Sequence, residues 1–181
     1  MPLTAQRETS QLVIVDVQEK LSSVMESVAL AAVVKNCGIL LQAAKLLEIP
    51  AICTEQYPKG LGATVPELAP YIGAPVEKTC FSCFDSSTFR SKLRGDRPQI
   101  ILSGMEAHIC VLQTALQLQE SGKQVFVEED AVISRNPASK ANALSRLRQA
   151  GVIVSNTESV VFEWLKVAEG DAFKQLSKLV R

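Results

Sequence analysis

The chain has 181 residues, of which 47% are hydrophobic, enough for one domain with a sizeable core. Basic and acidic residues number 19 each, so the electrostatic footprint of a nucleic-acid-binding protein is missing. No apolar run looks long and pure enough to span a membrane, and no signal peptide precedes the first apolar segment. We therefore expect a single domain, residues 1–181, that binds neither nucleic acid nor membrane.

Short apolar runs alternate with segments of helical period along the whole chain. Strands are predicted at 11–16, 50–54, 76–78, 100–103, 124–127 and 152–155, and helices at 28–47, 86–93, from 109 to a stop at Gly122, 137–150, 157–165 and 171–179. This alternation predicts an α/β fold in which a doubly wound parallel sheet carries helices on both faces.

The stretch from Ile100 to Val111 joins a buried strand to a helix. Gly104 permits a sharp turn, and the helical period begins at Ile109. Cys110 is thereby placed in the first helical turn at the carboxyl end of a strand, where helix N–H groups stabilise a thiolate. Cys110 is therefore a candidate nucleophile, with a small core residue as the alternative.

Two further strand ends carry charged residues. Asp16 ends the first strand and Lys78 ends the third. Because the carboxyl ends of parallel strands meet at one edge, these side chains and Cys110 can come together. Asp16 would then take and return the thiol proton, and Lys78 would favour the thiolate. The alternatives are a loop cap for Asp16 and a solvated surface charge for Lys78.

The cysteines and the histidine restrict the other chemistry. Five cysteines at irregular spacing predict free thiols and a cytoplasmic, reducing location. With His108 as the one histidine, a metal site built on several histidines is excluded, and we expect no metal and no cofactor. The spacing of Cys80 and Cys83 is also found in redox motifs, although the nearby Lys78 explains this segment better. The predicted substrate contacts are Gln18, Gln56, Tyr57 and Phe84, on their loop positions, and His108. For His108 the alternative is a histidine at a helix start that bonds to a neighbouring residue.

Four segments in this order resemble the isochorismatase-like cysteine hydrolases: VIVDVQ at 13–18, TEQYPK at 54–59, KTCFSCF at 78–84 and GMEAHIC at 104–110. The resemblance covers nearly the whole chain. It implies a six-stranded parallel sheet in the order 3-2-1-4-5-6 and a catalytic triad of Asp16, Lys78 and Cys110. It also implies a cis peptide bond between Met105 and Glu106, with an oxyanion hole formed by the backbone N–H groups of Glu106 and Cys110.

The chain departs from one branch of that family. Nicotinamidases carry an Asp-x-His…His metal site, whereas residues 54–62 contain no histidine. The chain is most similar to the short, stand-alone, metal-independent members. The resemblance implies hydrolysis of a small molecule, either at an amide or other C–N bond with Cys110 as nucleophile, or at a vinyl ether that Asp16 protonates. The alternative function is a non-catalytic binding or scaffold protein that keeps the fold.

Two apolar segments predict self-association. The helix at 28–47 is apolar on most of its surface, and a second cluster follows Thr157. Together they exceed what a small monomer easily covers, so we expect a homo-oligomer, dimer or larger, as the resemblance also implies. The second cluster consists of Val160, Val161, Phe162, Trp164 and Leu165.

Overall fold

The computed structural model describes residues 2–181, and its centre is one parallel sheet. The strands are β1 (Ser10–Val15), β2 (Ala51–Gln56), β3 (Val76–Lys78), β4 (Gln99–Met105), β5 (Gln124–Ile133) and β6 (Ile153–Ser155). Every pair is parallel, and the order is β3-β2-β1-β4-β5-β6. The expected sheet order is therefore confirmed.

Helices cover both faces of this sheet. They are α1 (Glu19–Ser22), α2 (Ser27–Leu46), α3 (Pro58–Leu61), α4 (Ser87–Lys92), α5 (Leu112–Glu120), α6 (Pro137–Gln149), α7 (Thr157–Leu165) and α8 (Gly170–Leu179). One core lies between the sheet and α2, α7 and α8, and the other lies between the sheet and α4, α5 and α6. This arrangement confirms the α/β class, while the assignment of 1–181 to one domain stays a prediction.

The sequence of β1 explains why it occupies the middle of the sheet. Leu12 and Ile14 enter one core, and Val13 and Val15 enter the other. All four are buried, as expected for a parallel strand that is covered on both faces.

Gly104 serves a purpose different from the predicted one. It lies inside β4, not in a turn after it, and pairs with Val15 of β1. A Cβ atom at this position would lie 2.1 Å from the carbonyl oxygen of Val15, and the φ angle of +119° also disfavours any side chain. The glycine therefore permits the close approach of β1 and β4.

The predicted end of β5 is wrong. We expected the strand to stop at Val127, but it continues to Ile133. A register shift against β4 between Leu102 and Gly104 lets the pairing resume beyond the polar residues. As a result Glu128, which looked like a loop residue, lies fully buried inside the sheet.

Helix α2 contradicts one sequence-based expectation. By length and composition it could cross a membrane, although no such run was expected. Within the fold, 44% of this apolar window is buried, and one such helix is weak evidence for a membrane span. Exposed apolar residues remain on its N-terminal half, among them Val28.

The cluster in α7 is not the free surface that we expected. Val160, Val161 and Trp164 are buried in the core beneath this helix. The indole N–H of Trp164 donates a 3.0 Å hydrogen bond to Oγ of Ser10 in β1. Of the five residues, Phe162 is the one with a large exposed side chain, at 37%. This cluster therefore gives little support to self-association.

Glu128 is an acid buried without a partner. Neither of its carboxylate oxygens has a hydrogen-bond partner among residues 2–181. Burial, followed by the nearby acids Asp130, Glu163 and Glu129, raises the pKa of Glu128 well above its ordinary value. The native state therefore holds this carboxyl group in its neutral form.

We predict that Glu128→Gln removes a pH-dependent loss of stability. In the unfolded chain Glu128 ionises above about pH 4.3, whereas in the native state it keeps its proton to a much higher pH. The free energy of unfolding should therefore fall as pH rises from about 5 to 8, and the variant should lack this contribution. Urea unfolding across this range measures it, with Glu120→Gln as the exposed control. A difference in unfolding free energy between Glu128→Gln and the wild type that does not change with pH would contradict the prediction.

Candidate active site

The three predicted catalytic residues come from one edge of the sheet. Asp16 directly follows β1, Lys78 is the last residue of β3, and the loop that contains Cys110 follows β4. In this strand order, β2 lies on one side of β1 and β4 lies on its other side. Ligands of doubly wound sheets bind at such a switch point, at the carboxyl ends of the strands.

Asp16 leaves the strand in an unusual backbone conformation. Its φ angle is +50°, in the left-handed region that few residues other than glycine adopt. Its N–H donates to the carbonyl oxygen of Thr54 at 3.1 Å, and its own carbonyl oxygen accepts from the N–H of Gln18 at 2.8 Å. Because strained backbone of this kind is concentrated at functional sites, it supports a role for Asp16 beyond that of a loop cap.

Lys78 forms a fully buried ion pair with Asp16. Its Nζ lies 2.7 Å from Oδ2 of Asp16, and neither side chain is exposed to solvent. Nζ also donates to Oε1 of Gln56 at 2.7 Å and to the carbonyl oxygens of Cys80 and Phe81, each at 3.2 Å. The interpretation of Lys78 as a solvated surface charge is therefore wrong.

These four acceptors define what Lys78 can do. An ammonium group has three protons, and four oxygen atoms of the protein already surround them. Burial alone would lower the pKa of Lys78, but the charge of Asp16 raises it above its ordinary value. Lys78 is therefore a fixed cation and not a proton donor to a substrate.

The second oxygen of Asp16 is held by a residue that we did not select. The hydroxyl group of Thr54, in β2, donates to Oδ1 of Asp16 at 2.6 Å. Thr54 is buried, and in the sequence it is marked only as the last residue of a predicted strand and the first of the TEQYPK segment. Nothing in its type or spacing distinguishes it, because the contact exists only when β1 and β2 pair.

Cys110 lies in a less regular segment than predicted. Residues Ala107–Val111 form one π-helical turn, and the α-helical geometry of α5 begins at Leu112. Cys110 is 6% exposed and packs with the core residues Ala107 and Val111. The core interpretation of this cysteine is therefore correct as a description of its packing, but it does not exclude chemistry at the thiol.

The predicted lowering of the Cys110 pKa is wrong. Burial raises the pKa of this thiol, and the Asp16 carboxylate raises it further as a negative charge and a hydrogen-bond acceptor. Lys78 acts in the opposite direction, but it does not overcome these two effects. The thiol is protonated at rest, so its nucleophilic attack requires a base that takes the proton, and Asp16 is the neighbouring carboxylate.

The peptide bond between Met105 and Glu106 is cis, which confirms the geometry that the resemblance implied. Across residues 2–181 the backbone N–H of Glu106 donates no hydrogen bond. The Glu106 side chain faces elsewhere, since its Oε2 accepts from the N–H of Arg135 at 3.0 Å. The N–H of Glu106 is thus unpaired within these residues, and the oxyanion role of the N–H groups of Glu106 and Cys110 stays a prediction.

The two glutamines among the predicted substrate contacts are occupied by the protein itself. The amide group of Gln18 donates to the carbonyl oxygens of Gln56 and Gly62, at 3.0 and 2.7 Å, and its Oε1 accepts from the N–H of Gln56 at 2.7 Å. The Gln56 side chain joins Lys78 to the carbonyl oxygen of Thr79. These bonds favour structural roles, because they use both amide hydrogens of Gln18.

The other predicted contacts are spread over different surfaces. Tyr57 lines a cavity of about 660 Å³ together with Lys78 and its neighbours Glu77 and Thr79. Phe84 packs under the guanidinium group of Arg90, at 5.9 Å from the ring centre. His108 bonds through Nδ1 to Oγ of Ser134 at 2.8 Å and lines a separate hollow beside α6. Of these three residues, Tyr57 alone lines the cavity beside Lys78, and substrate binding by any of them stays a prediction.

Cys80 and Cys83 do not form a disulfide bond. Cys80 and Cys83 are both free thiols, and the fully buried Cys83 lies with its Sγ 3.7 Å from Oγ1 of Thr54. Burial raises the pKa of Cys83 to about 11. Within the described part of the chain, no group of three or more His, Cys, Asp or Glu side chains is placed to hold a metal ion.

Proteins of similar sequence are known. Residues 10–159 match the model of the isochorismatase domain. Isochorismatase domain-containing protein 2 of Danio rerio is 44% identical over 172 residues, which are 94% of this chain and 86% of that protein.

Two solved structures have the same fold. The MAR1 ribonuclease of Caenorhabditis elegans is 36% identical with a TM-score of 0.90, covering 98% of this chain and 92% of that one. The YcaC gene product of Escherichia coli, described as an octameric hydrolase of unknown specificity, is 25% identical with a TM-score of 0.88, covering 99% and 91%.

We predict that Asp16 and Lys78 depend on each other for stability. Removing one partner of a buried ion pair leaves an uncompensated charge, so Asp16→Asn or Lys78→Met alone should cost about 3–5 kcal/mol of unfolding free energy. The double variant should cost clearly less than the sum, as urea unfolding would measure. The exposed pair Glu129–Arg148, also 2.7 Å apart, is the matched control and should contribute about 0–1 kcal/mol. Additive losses at Asp16 and Lys78 would refute the dependence.

Proposed function

The chain belongs to the isochorismatase family, and from that premise we propose that it hydrolyses a small molecule with Cys110 as nucleophile, Asp16 as base and acid, and Lys78 as a fixed cation. The observation that carries the proposal is the fully buried pair of Asp16 and Lys78 beside a protonated thiol. A buried pair costs desolvation energy of several kcal/mol per ion, and catalysis is a reason to retain it.

In the first half of the proposed reaction, Cys110 attacks the substrate carbon. The thiol proton passes to Asp16 as the bond from sulfur to carbon forms, and the carbonyl oxygen becomes an oxyanion that the N–H of Glu106 can bind. When the tetrahedral intermediate collapses, the bond from carbon to the leaving group breaks. Asp16 returns the proton to that leaving group, which departs neutral.

In the second half, water releases the product. Asp16 takes a proton from the attacking water molecule, and the oxygen of that water bonds to the carbon held by Cys110. The bond from sulfur to carbon then breaks, and the proton on Asp16 restores the thiol. Lys78 stays protonated throughout, so its contribution is electrostatic. Its charge opposes the rise in the pKa of Cys110 and holds the Asp16 carboxylate in place.

The proposed substrates are amides and other compounds with a hydrolysable C–N bond. A vinyl ether is the second possibility, since Asp16 could protonate such a substrate without covalent participation of Cys110. No cofactor is proposed for either route. A cytoplasmic location is proposed on the five free thiols, which suit a reducing compartment.

A ribonuclease activity is the alternative raised by similarity to the C. elegans protein. Two observations favour a small molecule for this chain. Its formal net charge is zero, so there is no general attraction for a polyanion. The buried cation of the site is already surrounded by four protein oxygens, which leaves it poorly placed to bind a phosphodiester.

A screen for hydrolysis over amides, carbamoyl compounds, vinyl ethers and single-stranded RNA tests this proposal. We expect turnover of a small molecule that Asp16→Asn reduces by about 10²–10⁴-fold. Loss of the same size in Cys110→Ala supports covalent catalysis, whereas activity retained in that variant supports the vinyl-ether route. Cleavage of RNA alone, or the absence of turnover in the folded protein on all these substrates, would overturn the proposal and favour the ribonuclease or the scaffold.

We further propose that the chain forms a homo-oligomer. The E. coli relative is described as an octamer. On this chain, Leu30, Ala31 and Val34 of α2 line an open groove of about 800 Å³ whose surface is largely apolar. An apolar surface of this kind favours association between copies.

Light scattering at micromolar concentration should therefore give a mass of at least twice 19.6 kDa. Val34→Glu, which places a charge in the groove, should lower the mass if α2 forms the contact. Val167→Glu, at an exposed apolar position outside this groove, is the control. A monomeric wild-type chain would refute the proposed assembly.

A further inference from the structure

We propose that Thr54 is a positioning residue for the Asp16 carboxylate, an inference that rests on the proposed role of Asp16 as base. The hydroxyl group of Thr54 lies 2.6 Å from Oδ1 of Asp16, and Nζ of Lys78 lies 2.7 Å from Oδ2. The two donors come from different strands, β2 and β3, and hold one oxygen each. Rotation of the carboxylate about its χ2 bond would break both hydrogen bonds, so the plane of the base is fixed.

The hydroxyl group of Thr54 has a defined direction. It carries one proton, and a carboxylate paired with an ammonium group can only accept, so that proton points to Asp16. Oγ1 of Thr54 also lies 3.7 Å from Sγ of Cys83, which must then be the donor in that contact. Burial keeps Cys83 protonated, since its pKa is raised to about 11. A directed chain therefore runs from Cys83 through Thr54 to Asp16.

The two donor residues of this series of hydrogen bonds, Thr54 and Cys83, are held rigidly. Thr54 is a β-branched residue inside a paired strand, which restricts its χ1 angle. The N–H of Cys83 donates to Oγ1 of Thr114 at 2.8 Å, and Cys83 is fully buried. Asp16 and Thr54 are both buried, so loss of the Thr54 hydroxyl group would leave a buried carboxylate oxygen without its hydrogen-bond donor. The geometry thus gives Thr54 a role that a residue of the same shape without a hydroxyl group would not fill.

Acrylamide is a probe of Asp16 that requires no knowledge of the substrate. The sulfur of Cys110 adds to the β-carbon of acrylamide, the thiol proton passes to Asp16, and Asp16 delivers it to the α-carbon. The protein loses no proton to solvent before the bond between the Cys110 sulfur and the β-carbon forms. The rate of Cys110 alkylation, followed by mass spectrometry, should therefore be nearly independent of pH around neutrality. If solvent takes the proton instead, the rate rises about tenfold per pH unit below the thiol pKa.

The test compares the pH-independent rate of Cys110 alkylation, called the plateau, among variants of two threonines. Thr54→Val removes the hydroxyl group but keeps the shape, and should lower the plateau by about 10–10²-fold because the base is no longer aligned. Thr54→Ser keeps the hydroxyl group and should retain most of the rate. Thr157→Val is the matched control, since its buried hydroxyl group also donates to a carboxylate, Oδ1 of Asp130 at 2.9 Å, outside the site. It should leave the plateau unchanged.

Each outcome separates this inference from the proposed function. A wild-type rate that rises tenfold per pH unit and does not change in Asp16→Asn would refute the role of Asp16 itself. A wild-type plateau that is lost in Asp16→Asn but kept in folded Thr54→Val would refute the role of Thr54 alone. If the valine variant does not fold, Thr54→Ala against Thr54→Ser provides the same comparison. In the Asp16→Asn background, further slowing by Thr54→Val would also contradict positioning through Asp16.

Discussion

The buried ion pair between Asp16 and Lys78 is the interaction on which the site depends. Two charges removed from water are costly, and their mutual attraction compensates only when every remaining donor and acceptor is satisfied. Here the ammonium group has four oxygen acceptors, and the carboxylate has one donor on each oxygen. The segments that provide these groups are thereby fixed in place, which gives the candidate base and the fixed cation one defined geometry.

The topology of the sheet makes this arrangement possible. Strands β2 and β3 bring Thr54 and Lys78 to one side of Asp16, and β4 brings the loop of Cys110 to the other. Close pairing of β1 and β4 requires a residue without a side chain at position 104, since the backbone of Val15 occupies that space. One glycine inside a strand is therefore as necessary to the site as the charged groups themselves.

Two buried acids, Asp16 directly after β1 and Glu128 within β5, show how strongly the neighbouring groups determine ionisation. Asp16 receives a cation and a hydroxyl donor, and forms an ion pair. Glu128 is buried without a donor and lies near other acids, so its pKa is raised well above the ordinary value. The protonated thiol of Cys110 follows the same rule, because burial and a nearby carboxylate both oppose a negative charge on sulfur. In the proposed reaction, attack by this cysteine thus depends on transfer of its proton, and not on a thiolate present at rest.

Much of the fold and the core of the site could be predicted from the sequence. Alternating apolar runs and helical periods determine the order of strands and helices, and the carboxyl ends of parallel strands must share an edge, so Asp16, Lys78 and Cys110 were identified by position. The tertiary structure alone decided the rest. Thr54 and Cys83 act through contacts between strands and loops that leave no local pattern, and Glu128 is buried because a register shift extends β5. Ionisation depends on the charges and solvent around a group after folding, which is why the sequence placed Cys110 correctly but predicted the wrong pKa shift for its thiol.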